Sequence, residues 1–350
     1  MLIRTLIAVV ILADFIVFLD RKKNNKAILF ISVMLIGLVM GGAANTPDYH
    51  SYANFYESEQ SQGFEPLYSL ISWSAAKIGI PFQWFMAVYM SAAIMLVVKA
   101  AQHYRTNWHL AVIMYLLTSA YINTCVMRQF MSYALYVAAL NELAEGRKFR
   151  YCVIILAGAF FHTTTLVALP MVFFTGKRNA GRSIFWLVMC LCAATFLNDN
   201  RIPGIGLLGG LILSIGKLAS YFTLSTNLGF MYCFALHFTL MFIAKRCLRY
   251  IRRHYDDNIR LASVVFDSTV YFTVALPLCM HNYNFIRVVY FNMIPVMFTL
   301  SAAMKERYAR KRFLVYALIL IAMFEFTSTY GWVREMVLDS NILEEYFTVQ

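Results

Sequence analysis

The chain has 350 residues, of which 61% are hydrophobic and only 14% are charged, and its formal net charge is +12. Soluble domains carry roughly 45–50% apolar and about 25% charged residues, so this composition excludes an ordinary soluble globular protein. Apolar runs of about 15 to 20 residues recur along the whole chain, which predicts an all-α, polytopic integral membrane protein. The positive charge does not indicate nucleic-acid binding, because most of it lies in short loops where membrane topology accounts for it.

The basic residues predict the topology, since cytoplasmic loops of membrane proteins are enriched in lysine and arginine. Most of them lie in clusters that we assign to the cytoplasm, at residues 21–26, 99–105, 147–150, 177–182, 245–260 and 305–312. The first apolar run ends at Asp20-Arg21-Lys22-Lys23 and not at a small-residue cleavage site. We therefore expect this run to be a membrane span and not a cleaved signal peptide.

These assignments predict a single transmembrane domain, 1–350, with about ten membrane-spanning helices and additional re-entrant or in-plane segments. The predicted spans are 2–19, 27–44, 82–98, 109–126, 130–144, 183–198, 227–244, 261–280, 288–304 and 313–330. The connections near 45–65, 199–226 and 281–287 then lie on the outer side of the membrane. This orientation follows from placing every basic cluster in the cytoplasm.

Two segments do not fit simple crossings. Residues 65–80 are apolar enough to span, but a span here would move the later basic clusters to the wrong side. We therefore favour a helix that lies in, or dips into, the outer face. Residues 151–176 have basic flanks on both sides, which favours a re-entrant hairpin of two short helices with His162 at its tip. The alternative is one helix over 151–176 with an additional span at 202–216.

Isolated polar residues within apolar sequence indicate candidate functional positions. Arg128 and Gln129 lie between two apolar runs, and His162 lies within a third and is followed by three threonines. Ionisable side chains are costly in hydrocarbon, so such residues suggest function. Arg128 could instead be an anchor at the membrane interface, with its aliphatic stem in the hydrocarbon.

The predicted topology brings many polar and aromatic residues to the outer boundary. They are Asp48, Tyr49, Tyr52, Glu65, Arg128, His162, Lys217, Tyr221, His281, Arg287 and Tyr290. Several cations and tyrosines near apolar helix ends suit an anionic head group presented from the membrane, because the planar fork of arginine matches phosphate oxygens. The tyrosines could stack on sugar rings, or they could be ordinary interface residues.

Other chemistry has less support in the sequence. Asp14, Asp267 and Glu325 are the ionisable residues within the predicted spans, and an ion-coupled transporter would need such groups, although each could pair with a neighbour instead. Asp14 could face Arg21. The cysteines show no metal-ligand spacing, so we expect neither a metal nor another cofactor. Motifs for ATP binding, metalloproteases and serine hydrolases are absent from the sequence.

Several short segments, in this order, resemble the EpsG family of Wzy-type polysaccharide polymerases. They are Pro47-Asp48-Tyr49-His50-Ser51-Tyr52, Gly63-Phe64-Glu65-Pro66-Leu67-Tyr68, Arg128-Gln129, Phe161-His162, Lys217 to Tyr221 and Arg287 to Tyr290. Many family members carry an arginine shortly before the Asp-Tyr element, whereas residues 38–46 contain none. The tail also has Glu344-Glu345-Tyr346 in place of the Pro-Tyr ending common in the family.

The resemblance implies a glycosyltransferase in the bacterial cytoplasmic (inner) membrane, with its active site facing outward. It would join oligosaccharide repeat units linked to undecaprenyl diphosphate without a metal, among membrane lipids and with a chain-length regulator protein as a further partner. Arg128 and Arg287 would stabilise the departing diphosphate, and Asp48, Glu65 or His162 would act as the base. Tyr49, Tyr52, Gln129, Lys217, Tyr221 and Tyr290 would bind substrate.

Two other functions stay open. One is a transporter of lipid-linked glycans, either a flippase or an exporter, and it should require Asp267 or Glu325. The other is a membrane O-acyltransferase acting on glycans, and its key histidine should lie deeper than the tip of a hairpin.

Overall fold

The structure is a computed structural model, and it describes residues 2–19, 25–46, 48–58, 64–104, 106–176, 178–198, 229–255, 259–304, 307–330, 333–341 and 346. All regular structure in these ranges is helical, which confirms the predicted fold class. Among the described residues, four helices are long and apolar enough to cross a membrane: Phe82–Tyr104, Phe230–His254, Ile259–His281 and Tyr283–Ala303. Shorter apolar helices accompany them, so the chain is a polytopic membrane protein, while the number of about ten crossings stays a prediction.

The helices follow the predicted apolar runs. In chain order they are α1 Leu2–Leu19, α2 Lys26–Gly41, α3 Tyr49–Glu57, α4 Pro66–Lys77, α5 Phe82–Ala101, α6 Trp108–Thr118, α7 Ala120–Cys125, α8 Met127–Ala144, α9 Lys148–Ala159, α10 Arg178–Leu197, α11 Gly229–His254, α12 Ile259–Tyr271, α13 Leu276–His281, α14 Ile286–Val289, α15 Met293–Ala303, α16 Arg307–Tyr330 and α17 Val333–Leu338. A 3-10 helix, Thr163–Phe173, follows α9. Shorter 3-10 turns occupy Gln102–Tyr104, Phe272–Ala275, Tyr283–Phe285 and Tyr290–Asn292.

The chain divides into two compact units. The first contains Met1–Leu169 and Leu300–Gln350, and the second contains Pro170–Thr299. The prediction that residues 1–350 form a single domain stays a prediction.

In the first unit, α2 and α5 approach each other closely through small residues. A Cβ atom added to Gly37 would lie 1.9 Å from Ser91 Oγ and 2.8 Å from the Ala87 carbonyl oxygen. One added to Gly41 would lie 2.5 Å from the Ala87 nitrogen. Small residues spaced four apart allow helix backbones to approach in membranes, so the Gly37-Leu-Val-Met-Gly41 segment determines this contact.

A buried contact between an aspartate and a histidine joins α1 to α6. Asp14 contacts Nδ1 of His109, and both side chains are fully buried. The described partner of Asp14 is therefore His109, whereas the sequence suggested Arg21, which lies outside the described residues.

The predicted span 109–126 is interrupted at Ser119, where α6 ends and α7 begins. Hydroxyl groups near the interruption donate to carbonyls one turn earlier, from Thr118 to Met114 at 2.6 Å and from Thr124 to Ala120 at 2.8 Å. Such back-bonding often bends helices, which accounts for the division of the predicted span.

The helix α4 is too short to cross a bilayer, because its 12 residues extend only about 18 Å. Its buried residues include Tyr68, Ser69 and Ser72, whereas Leu70 and Trp73 are exposed. The exposed Leu70 and Trp73 side chains suit a helix whose outer face contacts lipid. This pattern agrees with the expected in-plane position, which stays a prediction.

Residues 148–173 form a helical hairpin. The helix α9 ends at Ala159, and the 3-10 helix begins at Thr163 and runs back along it. The Tyr151 hydroxyl donates to the Ala168 carbonyl at 2.5 Å, and Gly158 lies against Thr165. These contacts show a hairpin with His162 at its tip and contradict one continuous helix over 151–176, while its re-entry into the membrane stays a prediction.

In the second unit, Asp267 on α12 accepts a hydrogen bond from the Gly176 N–H at 2.9 Å. Gly176 has a φ of +77°, a conformation that favours glycine. The Asp267 carboxylate therefore stabilises the turn that precedes α10. This contact gives Asp267 a structural partner, as the sequence allowed.

Candidate functional site

The Arg128 side chain is held by an ion pair at the start of α8. Its Nη1 group donates to Glu65 Oε2, and each of the two side chains is only 12% exposed. Arg128 lies one residue into α8, which begins at Met127 after an interruption at Val126. Glu65 immediately precedes α4, whose first residue is Pro66. Two helix starts therefore bring the charges together.

Three aromatic rings surround the guanidinium group. Its central carbon lies 3.9 Å from the ring centroid of Phe64, 5.2 Å from that of Tyr52 and 5.7 Å from that of Tyr68. We call these three residues the aromatic cage. Cations are attracted to aromatic faces, most strongly where water is excluded, so the cage holds the guanidinium in a fixed plane.

The aromatic cage is itself supported by packing. The centroids of Tyr52 and Phe64 lie 5.5 Å apart, and those of Phe64 and Tyr68 lie 5.8 Å apart. Tyr52 belongs to α3, which is anchored where the Tyr56 hydroxyl donates to the Ile80 carbonyl at 2.6 Å. Burial raises the pKa of Tyr56 to about 12, which keeps this hydroxyl protonated as a donor.

The tip of the hairpin lies beside this ion pair. Glu65 Oε1 accepts a hydrogen bond from the Thr163 N–H at 3.4 Å, and the Leu67 N–H donates to the Phe160 carbonyl at 3.1 Å. From the other side, Gln129 Nε2 donates to Thr164 Oγ1 at 3.2 Å. Residues from α4, α8 and the hairpin therefore form one site, which we call the Arg128 site.

His162 is fixed within the tip by the threonines that follow it. The N–H and the hydroxyl of Thr165 both donate to the His162 carbonyl, at 3.1 Å and 2.8 Å. The His162 Nδ1 atom lies 2.8 Å from Thr164 Oγ1. The imidazole is half-buried, so it is held in position while part of its surface remains accessible.

Five of the predicted site residues come together at the Arg128 site: Tyr52, Glu65, Arg128, Gln129 and His162. Their assignment to catalysis or substrate binding stays a prediction.

The other predicted site residues are Asp48, Tyr49, Lys217, Tyr221, Arg287 and Tyr290. Tyr49 is buried and packs edge-on against Phe82 at 5.2 Å, and Asp48 is half-buried at the start of α3. Arg287 and Tyr290 belong to the second unit, in α14 and in the following 3-10 turn. Lys217 and Tyr221 lie outside the described residues. Contributions from these residues stay predictions.

Sequence reasoning missed Phe64, Tyr68, Thr163 and Thr164 as parts of the site. Phe64 is adjacent to Glu65, and Tyr68 follows Glu65 by three residues, so both signals were present in the segment that resembles the family. The two threonines directly follow His162. The sequence does not indicate that the Thr163 backbone N–H binds Glu65 or that the Thr164 hydroxyl binds Gln129.

The site is rich in hydrogen-bond donors. The buried Nε atom of Arg128 has no hydrogen-bond partner among the described residues, and the same holds for the buried Tyr89 hydroxyl, whose ring lies 5.6 Å from that of Tyr68. Within the described part of the chain, no group of three His, Cys, Asp or Glu side chains is arranged to hold a metal ion. Arginine and amide donors of this kind can bind an anionic group.

Comparison with known proteins identifies the family. No curated protein and no solved structure matches the chain. The model of the EpsG family matches residues 26–334, which is most of the chain, and the protein therefore belongs to the EpsG family.

Proposed function

We propose that this membrane protein of polysaccharide-polymerase type is a glycosyltransferase that joins repeat units linked to undecaprenyl diphosphate. The observation that carries the proposal is the Arg128 site, where a caged guanidinium, a carboxylate and a histidine meet. Family membership supports a membrane protein of polysaccharide-polymerase type, whereas the identities of the glycan donor and acceptor are part of the proposal.

The reaction needs stabilisation of a leaving group. A hydroxyl of the acceptor sugar forms the new bond to C1 of the donor sugar, while the bond from C1 to the diphosphate oxygen breaks with its electron pair. The hydroxyl proton passes to a base, and undecaprenyl diphosphate leaves with an additional negative charge. Fixed cations stabilise such charge because they need no reorganisation during the reaction. Arg128 meets that requirement, since the aromatic cage and Glu65 determine its orientation.

In the structure, the Glu65 carboxylate neutralises the positive charge of Arg128. A diphosphate that binds Arg128 must therefore displace the Glu65 carboxylate, or use the unpartnered Nε donor. Glu65 is also held by the Thr163 N–H, so a carboxylate released from Arg128 stays at the tip of the hairpin. There it is available to accept the proton of an attacking hydroxyl.

We further propose that the Arg128 site faces outward from the bacterial cytoplasmic membrane. The helix α8 starts at the site and ends near the basic turn at Arg147. Its 18 residues extend about 27 Å, which is close to the thickness of the hydrocarbon core. Because basic turns favour the cytoplasm, the opposite end with Arg128 lies outside.

The two other candidate functions receive less support. A membrane O-acyltransferase would require a histidine deeper than the tip position that His162 occupies. A transporter would require Asp267 or Glu325 on an ion pathway, and of these two residues Asp267 accepts a hydrogen bond from the Gly176 backbone. A polymerase needs neither a deeper histidine nor an acidic residue on an ion pathway.

The function can be tested by deleting the gene in its host and identifying the lipid-linked glycans that accumulate. A polymerase predicts single repeat units at the outer face and no long polymer. Single units retained at the inner face would instead indicate a flippase, and long polymer in normal amount would overturn the proposal. Re-expression of the wild-type chain should restore long polymer.

A further inference from the structure

The hydrogen bonds to His162 define which ring nitrogen carries the proton. Nδ1 lies 2.8 Å from the Thr164 hydroxyl oxygen and 3.4 Å from the Thr164 backbone nitrogen. A backbone N–H can only donate, so Nδ1 acts as an acceptor in this contact. A neutral imidazole has one protonated and one unprotonated nitrogen. With Nδ1 as the acceptor, the proton lies on Nε2.

Gln129 orients the Thr164 hydroxyl. Its Nε2 group donates to Thr164 Oγ1 at 3.2 Å, which occupies a lone pair of the hydroxyl oxygen. The hydroxyl hydrogen is then available to point toward Nδ1 of His162. The resulting hydrogen-bond chain runs from Gln129 through Thr164 to Nδ1 of His162. Both hydrogen bonds favour the tautomer with the proton on Nε2.

The backbone prevents an easy rearrangement of this chain. The N–H and the hydroxyl of Thr165 both donate to the His162 carbonyl. The Gly158 carbonyl accepts from the His162 N–H at 2.9 Å and from the Ser132 hydroxyl at 2.9 Å. Thr165 is fully buried, so the turn has little room to open. The imidazole and the Thr164 hydroxyl therefore keep their relative positions.

We propose that Thr164 is a positioning residue that holds neutral His162 with its proton on Nε2, so that His162 is a hydrogen-bond donor in the reaction and not its general base. This inference rests on the proposed function. A base needs an unoccupied lone pair, and the lone pair of Nδ1 is engaged by Thr164. The Nε2–H group is suited instead to donate to a substrate oxygen, such as one on the diphosphate. Of the three candidate bases, the carboxylates Asp48 and Glu65 remain.

The tautomer can be measured by nitrogen NMR of the full-length protein in lipid nanodiscs, with ¹⁵N-labelled histidine, under conditions where the ring is neutral. The His162→Gln variant identifies the signals of this residue by their loss. We expect an unprotonated Nδ1 and a protonated Nε2. A proton on Nδ1 of His162 would overturn the inference, whatever the protein polymerises.

Variants of Thr164 connect the tautomer to activity. Thr164→Val removes the hydroxyl but keeps the backbone N–H that also donates to Nδ1. The preference for the Nε2–H tautomer should therefore weaken, so that a fraction of the Nδ1–H tautomer appears. Polymerisation should fall about 10-fold to 100-fold, less than for loss of a whole acid–base group. Thr164→Ser should restore both readouts. Thr195→Val is the matched control, because among the described residues the Thr195 hydroxyl donates to a carbonyl one turn earlier, at 2.8 Å.

The outcomes separate this inference from the proposed function. An unchanged tautomer and unchanged polymerisation in Thr164→Val would contradict the positioning role. If the wild-type protein forms no polymer from lipid-linked units, the proposed function fails, while the NMR result still decides the protonation of His162.

Discussion

Arg128 and Glu65 are 63 residues apart in the sequence and form an ion pair in which each side chain is only 12% exposed. Removing one partner of such a buried pair is typically destabilising by about 3–5 kcal/mol, because the other charge stays behind without compensation. Substitutions that preserve charge or shape are therefore more informative here than truncation to alanine.

Replacing Glu65 by glutamine should strengthen the binding of diphosphate lipids. Glutamine keeps the shape and can still accept from the Thr163 N–H, but it no longer neutralises Arg128. We expect the Kd for farnesyl diphosphate to fall about threefold to tenfold, which corresponds to about 0.7–1.4 kcal/mol. Isothermal titration of the purified protein in detergent measures this change. Glu145→Gln, at the exposed Arg147 turn, is the control. Weaker binding to Glu65→Gln than to wild type would contradict the exchange of carboxylate for phosphate.

Substitution of Gly158 should disturb the tip of the hairpin. A Cβ atom at this position would lie 2.9 Å from Thr165 Cγ2, and Thr165 is fully buried. Gly158→Ala should therefore displace Thr165 and His162 and reduce polymer formation by about tenfold, with a stability loss of about 1–3 kcal/mol. Gly181→Ala is the control, since its nearest contact of 3.6 Å is ordinary. Equal polymer yields and equal thermal stability of both variants would argue against a tightly packed tip.

Substitution of Gly37 should separate α2 from α5. The added Cβ of Gly37→Ala would overlap Ser91 and the Ala87 backbone, and backbone atoms cannot rotate away. We expect a loss of stability at the upper end of the usual 1–3 kcal/mol range for overpacking, measured by thermal unfolding in detergent. Ile31→Val changes an exposed residue of the same helix and should have little effect. A Gly37→Ala variant as stable as Ile31→Val would rule out this helix contact.

The proposed orientation in the membrane predicts which residues react from outside. Single cysteines at Glu57 and Lys148, both exposed, should be introduced into a chain whose native cysteines have been replaced. In intact cells, an impermeant maleimide should label position 57 and not position 148, which labels only after the membrane is opened. Labelling of position 148 from outside would reverse the topology deduced from the basic clusters.

The elements of the fold were largely predictable, because apolar runs and basic clusters are local signals. The break at His162 was also predictable, since both flanks of 151–176 are basic. The interruption at Ser119 was not, because it depends on hydroxyl groups bonding to carbonyls within an otherwise apolar run. The Gly37-x-x-x-Gly41 spacing is visible in the sequence, but the partner helix is not.

The candidate site was predictable in its residue types but not in its connections. Arg128, Glu65 and His162 could be selected because isolated ionisable residues are costly in apolar surroundings. Glu65 neutralises Arg128 although the two residues are 63 positions apart in the sequence. Phe64, which covers the guanidinium, is similarly distant from Arg128 along the chain. No periodicity encodes such contacts. The sequence therefore presented Arg128 as an unpaired cation, whereas the structure shows a paired and caged one.

The most direct test of the account is polymer formation by Arg128→Lys in cells that lack the wild-type chain. Lysine keeps a positive charge near Glu65 but loses the planar fork and its stacking on Phe64. Arg4→Lys, at an exposed pair with Asp339, is the matched control. At equal amounts of membrane-inserted protein, we expect Arg128→Lys to lose about 100-fold or more of its polymer and to accumulate single repeat units. Normal chain lengths in Arg128→Lys would contradict the proposal that this arginine stabilises the departing diphosphate.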